Sequence, residues 1–210
     1  MGRENKNAAV AAVHRKKILE SAGSLFSEKG FEATTIGDIS AASEYSRRTV
    51  YAYFQSKEDI LHSLICEGLS DLKKSVTDIL SRETDLEKQC REIFDAMGDF
   101  YTSYPLAAEI INGFKPSDIP EPSEAVKRIF ALGEEINSAL GGFIRGGIES
   151  GKVSRDIIPE LTVCILWSEI SSFYGLVKSK GEFIRKRLSL SETELCEHGF
   201  KQIFGSILVS

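Results

Sequence analysis

Apolar residues recur three and four positions apart along almost the whole chain, and no stretch alternates apolar and polar residues over a strand's length. The pattern predicts an all-α protein of about nine helices. Ile18, Leu19, Ala22, Leu25 and Phe26 stripe the first helix, which Gly30 stops. Two short helices follow between Thr34 and Leu61. Thr35 caps the first of them, with Asp38 at its third position and Ile39 and Ala42 facing inward. A turn at Glu44 and Tyr45 leads to Ser46, which caps the next helix. Tyr51, Tyr53 and Phe54 close that helix with aromatic bulk. Ser56 and Asp59 form another capping pair, opening a fourth helix from Lys57 to about Leu80 whose apolar face includes Ile65, Leu69, Leu72 and Val76.

The rest of the chain continues in the same period. Thr84 with Glu87 predicts a capping box for a fifth helix carrying Ile93, Phe94, Met97, Phe100 and Tyr101, which Pro105 interrupts. A short sixth helix spans Leu106 to Asn112, and the following GFKPSDIPEPS, with three of the five prolines, reads as a loop. A seventh helix runs from Ser123 to about Ser150, through the pairs Gly141-Gly142 and Gly146-Gly147. Each glycine costs about 1 kcal/mol against alanine, so the pairs mark either close packing or a hinge. The last two helices cover about Pro159 to Lys178 and Ser191 to Leu208, the latter with a Ser191–Glu194 capping box. Leu161, Cys164, Ser168, Ser171 and Gly175 line up on one, and Leu195, Gly199, Phe200, Ile203, Phe204 and Ile207 on the other, the pattern of an interface.

The chemistry concentrates between Thr34 and Leu61. Arg47, Arg48 and Thr49 fall in the first turn after Ser46, where guanidinium and hydroxyl groups meet base edges and phosphates of duplex DNA. Tyr45, Ser46, Tyr51, Tyr53, Thr35 and Lys57 complete the expected contact set, with Thr35, Tyr53 and Lys57 on phosphates. The stretches ILESAGSLFSEKGFEATT and SRRTVYAYFQSKEDIL resemble the DNA-binding domain of the tetracycline-repressor (TetR) family, including the phenylalanine and glycine that end its first helix. Glu44 stands where that family's turn generally has glycine, and Arg48 where its recognition helix often has one. A left-handed Glu44 costs roughly 1–2 kcal/mol.

The resemblance implies a homodimer whose last two helices form a four-helix bundle. Leu161, Ser168, Ser171, Gly175, Phe200, Ile203, Phe204 and Ile207 are then its interface. It also implies an inducer pocket in the body, where Phe94, Met97, Phe100, Tyr101, Phe130, Trp167 and Phe173 supply large side chains; Tyr104, Phe114 and Tyr174 belong to the same aromatic set. Glu169 falls on the face of Ile165, Leu166, Phe173 and Leu176, so its carboxylate either pairs with a neighbour or meets a cationic ligand. Residues 1–56 are expected to bind DNA, and residues 57–210 to bind the ligand and dimerise.

Composition narrows the classes. The net charge of −5 hides a division: residues 1–55 hold eight Lys and Arg against six Asp and Glu, and the remainder is acidic. Local charge sets phosphate attraction. Arg3, Lys6, Arg15, Lys16 and Lys17 make the leading segment either an arm on the DNA backbone or a solvated tail. The chain has neither an uncharged run long enough to span a membrane nor an apolar signal core, and Cys66, Cys90, Cys164 and Cys196 form no CxxC pair. A cytoplasmic protein with no membrane partner is expected. No catalytic or phosphate-binding motif occurs, so neither enzyme activity nor a cofactor is expected. Glu58, His62 and Cys66 share a helical face, but about 12 Å of helix separates the outer two, too far for one metal ion. The sequence reads as a regulator that holds pseudo-palindromic operator DNA as a homodimer and is released, as a repressor, by an unidentified small molecule. A ligand-independent or activating regulator is the alternative within the fold, and a helical enzyme or carrier the alternative outside it.

Overall fold

The computed structural model describes residues 2–113 and 121–209, with side chains from residue 8 onward. The expected loop after the sixth helix, and Phe114 with it, falls largely outside the described residues. The elements are α1 (Gly2–Lys29), α2 (Ile36–Ser43), α3 (Arg47–Tyr53), α4 (Lys57–Arg82), α5 (Leu86–Ser103), α6 (Pro105–Gly113), α7 (Glu124–Glu149), α8 (Pro159–Leu188) and α9 (Glu192–Phe204). Among the described residues the only β pairing is an isolated bridge between Val153 and Leu208. No described helix is long and apolar enough to cross a membrane. The chain divides into two compact units, residues 1–68 with 104–129 and residues 69–103 with 130–210. The division falls inside α4 and α7, and α6 belongs to the first unit.

In the first unit, Ile18, Leu19, Ala22, Phe26, Ile39, Val50, Phe54 and Ile60 form a core joining α1, α2, α3 and the start of α4, with Leu106 of α6 packed against it. The segment expected to be an arm or a tail forms the first part of α1, which begins at Gly2. Thr35 and Asp38 make the expected capping box on α2. Ala42 is exposed, however, and Ser43 takes the inward position, its hydroxyl donating to the Ile39 carbonyl at 2.7 Å. A small hydroxyl residue fits there because the bond to its own helix satisfies it. Glu44 adopts the left-handed conformation at φ 61°, and its N–H caps the carbonyls of Ser40 and Ala41. Its carboxylate pairs with Lys17.

The second unit centres on Phe94 of α5. The Phe173, Tyr174, Phe200 and Phe204 rings lie 5.3–6.5 Å from it, centroid to centroid. Gly98 and Gly199 make this possible, since a Cβ at either would fall 2.2–2.3 Å from the Tyr174 or Phe173 ring. Arg91 pairs with Glu197 and stacks over Phe200 at 3.9 Å, tying α5 to α9.

Two boundaries differ from the sequence pattern. Asp85, not Thr84, caps α5, accepting the Lys88 N–H at 3.0 Å, while Glu83 takes the N–H groups of Thr84 and Asp85. α8 continues to Leu188, beyond the expected end near Lys178, because Gly181 is a buried helical residue rather than a stop. α7 runs unbroken through both glycine pairs. Gly147 packs against Val153 and Leu86, which is the close-approach reading of that pair.

Candidate nucleic-acid interface

The helix α3 is anchored on one side and open on the other. Ser46 caps it by accepting the Thr49 N–H at 3.1 Å, and the two hydroxyls lie 2.9 Å apart. Val50 is fully buried and Phe54 nearly so, which fixes the rotation of the helix about its axis. Arg47, Arg48 and Tyr51 are consequently exposed. Neither arginine has an ion-pair partner among the described residues. The guanidinium of Arg47 lies over Gly37 in the first turn of α2.

Thr35 closes its capping box with a second use for each group. Its N–H and hydroxyl both donate to Asp38, at 2.8 and 2.7 Å. Lys29 reaches the same carboxylate at 2.7 Å. The Lys29 ammonium first, and then the Thr35 donors, hold the Asp38 carboxyl well below the usual carboxylate range.

The remaining expected residues support the surface from behind. The Tyr53 hydroxyl lies 3.0 Å from His14 Nδ1, and the His14 ring packs 4.8 Å from Tyr45. Arg15 donates to the Tyr53 carbonyl at 3.2 Å and to the Ser63 hydroxyl at 2.8 Å, and stacks on Phe54 at 4.3 Å. It thus satisfies a carbonyl at the C-terminal end of α3. Lys57, expected on a phosphate, donates to the Phe31 carbonyl at 2.8 Å and stands 4.2 Å over the Phe31 ring. His14 was not among the expected site residues, although a signal for it exists, and Arg15 was expected only as part of a basic arm. His14 stands one helical turn before Ile18, so the inward stripe of α1 extends back to it.

The second unit holds a void of about 20 Å³ whose walls are apolar, formed among others by Cys90, Ile93, Met97, Leu140, Trp167 and Ile170. Burial pushes the Cys90 thiol up to about 12. Of the residues expected to line a pocket, Met97 and Trp167 do so. Phe94 and Phe173 pack tilted against each other, and Phe100 meets Tyr101 edge to face, so these rings fill space with one another. Phe130 is partly buried. Trp167 Nε1 donates to Asn137 at 2.9 Å. Glu169 is exposed and does not line the void, because α8 turns that face outward along with Ile165 and Leu176.

The same outward face carries Leu161, Ser168, Gly175 and Phe183, with Ser171 at its edge. Phe200, Ile203, Phe204 and Ile207 differ from expectation. They are buried within their own chain, Phe200 and Phe204 in the Phe94 cluster and Phe204 and Ile207 against the void.

Residues 18–64, which hold the anchored α3, match the family described as bacterial regulatory proteins, tetR family. The transcriptional repressor DhaR of Mycobacterium sp. strain GP1 is 23% identical over 78% of this chain and 80% of that repressor. The crystal structure of FadR from Bacillus subtilis in complex with stearoyl-CoA superposes with a TM-score of 0.69 at 16% identity, covering 91% of this chain and 98% of that one. The ketosteroid regulator KstR2 of Mycobacterium tuberculosis likewise gives 0.69 at 20% identity, covering 93% of this chain and 95% of that one. Residues 18–64 thus carry the DNA-binding domain of the tetR family of bacterial regulatory proteins, and the chain as a whole shares the fold of these solved regulators.

Proposed function

We propose that the chain is one protomer of a cytoplasmic, homodimeric repressor that grips a pseudo-palindromic operator through two copies of α3 and lets go when an apolar small molecule enters the second unit. The observation that carries this is the pair Arg47 and Arg48, exposed on the first turn of a rigidly anchored helix and without ion-pair partners among the described residues. Such side chains retain their donors for guanine edges or phosphates. Residues 1–56 are assigned to DNA and residues 57–210 to ligand binding and dimerisation.

The effector class follows from the void. Its walls carry no ionised group, so what it accepts is hydrocarbon rather than a charged headgroup. At about 20 Å³ it is far below the roughly 300–1,000 Å³ of a ligand pocket. A ligand must therefore part the surrounding helices, and a form that parts them differs from the one that binds DNA. FadR was solved with stearoyl-CoA, and a long acyl chain fits the same requirement. The helices α4 and α7 both continue through the division between the units, so either can carry the coupling.

The test begins with selection of bound duplexes from a random pool. One pseudo-palindromic consensus is expected, and no enrichment would rule out sequence-specific binding. Long-chain acyl-CoA is then titrated against the selected duplex while Trp167 fluorescence is followed. Typical couplings of ~1–3 kcal/mol predict that operator release and the fluorescence change occur together.

A further inference from the structure

We propose that Gly37 is a specificity-determining position: the missing side chain in the first turn of α2 lets the Arg47 guanidinium lie across α2, and this fixes the direction from which Arg47 reaches DNA. The inference rests on the reading of α3 as the DNA-contacting helix. Glycine weakens a helix relative to alanine, and α2 spans only eight residues, Ile36–Ser43. Gly37 is not among the residues of positive φ, so no backbone conformation requires it. Space does. A Cβ there would stand 2.5 Å from Arg47 Nη2, 3.2 Å from Cζ and 3.4 Å from Nε. Its three nearest neighbours are thus atoms of one guanidinium.

The rest of the motif leaves only the arginine free to move. The α2–α3 turn is held by the two carbonyls that the Glu44 N–H caps, by the Ser43 hydroxyl bonded to Ile39, and by the Ser46 cap on α3. Arg47 itself has no ion-pair partner among the described residues and is exposed. A side chain at position 37 therefore pushes aside a flexible guanidinium rather than a helix. The fold tolerates the change and the reading head does not. Gly37 acts through Arg47 and is a positioning residue.

The experiment uses the full chain and the duplex family that the wild-type protein selects from a random pool. Gly37→Ala is expected to keep or raise the melting temperature. It should weaken binding to the wild-type consensus by roughly three- to thirtyfold, a usual size for coupled neighbours. It should also alter preference at the same base position that Arg47→Ala relaxes. In the Arg47→Ala background, Gly37→Ala should change affinity less than about twofold, because the group it displaces is gone. An equal loss in both backgrounds would mean that residue 37 meets DNA directly, and would overturn the proposal. So would unchanged affinity and preference, or a lowered melting temperature. Failure of the underlying reading is separate, since the wild-type protein would then enrich no consensus.

Discussion

Two kinds of cation occur in the first unit, and their surroundings separate their roles. Arg47 and Arg48 are exposed and free of ion pairs among the described residues, whereas Arg15 and Lys57 spend their donors on Tyr53, Ser63 and Phe31. Arg47→Ala or Arg48→Ala should thus cost ~1–3 kcal/mol on the selected duplex and relax one base preference, with the melting temperature unchanged. Arg15→Ala should behave oppositely. It should lower stability by about 1–2 kcal/mol by leaving the end of α3 uncapped, and weaken every duplex alike. Paired melting and binding curves on the same variants decide between these roles. Asp38 supplies a pH dependence. Lys29 and then Thr35 depress its folded-state carboxyl, so its contribution is present above the ordinary aspartate range, about 3.9, and is lost as pH falls toward the depressed value. Melting followed from pH 6 downward should lose part of its acid limb in Asp38→Asn; an identical limb in both proteins would rule this linkage out.

At the scale of elements, what could be read in advance was local and what could not was tertiary. Thr35, Ser46 and Ser191 cap the helices expected of them, because a hydroxyl and an N–H three residues on need no distant partner. Asp85 displaced Thr84 because an equally good oxygen stood one residue later. Periodicity marked the inward faces of α5 and α9 but not whether the rings there leave space, and they fill it with one another. The glycine pairs of α7 had two readings in the sequence, and the structure separates them residue by residue. A Cβ on Gly147 would meet Val153 Cγ2 at 2.5 Å and Leu86 Cδ1 at 2.9 Å, whereas Gly142 and Gly146 face open space. Gly147→Ala should destabilise by about 1–3 kcal/mol through overpacking. Gly142→Ala or Gly146→Ala should stabilise by about 0.5–1 kcal/mol. Denaturant midpoints on the three variants test this, and a stabilised Gly147→Ala would remove the packing account.

At the scale of the whole molecule, α8 carries an apolar face that no described residue of the single chain covers. Leu161 is 53% exposed, Ile165 47%, Leu176 41% and Phe183 65%, all on α8, with Ile158 and Leu188 exposed at its two ends. A single exposed leucine needs no explanation, but a row of them along one helix marks a contact surface. A second copy is the partner that a reader of paired half-sites requires, with half-site centres roughly 34–36 Å apart. Charge should therefore split the assembly on α8 and unfold the chain on α9. Ile165→Glu and Phe183→Glu should give a folded monomer by light scattering and lose tight operator binding together. Phe204→Glu should instead lose its fold, because Phe204 is 2% exposed within its own unit. Two thiols provide an independent gauge. Cys90 is buried with its thiol raised to about 12 and should resist alkylation at neutral pH in every variant. Cys164 is exposed on α8 in the single chain, so its alkylation should be slow in the concentrated wild-type protein and fast in Ile165→Glu. Equal Cys164 rates in the two proteins, with a monomeric mass for the wild type, would place the interface elsewhere.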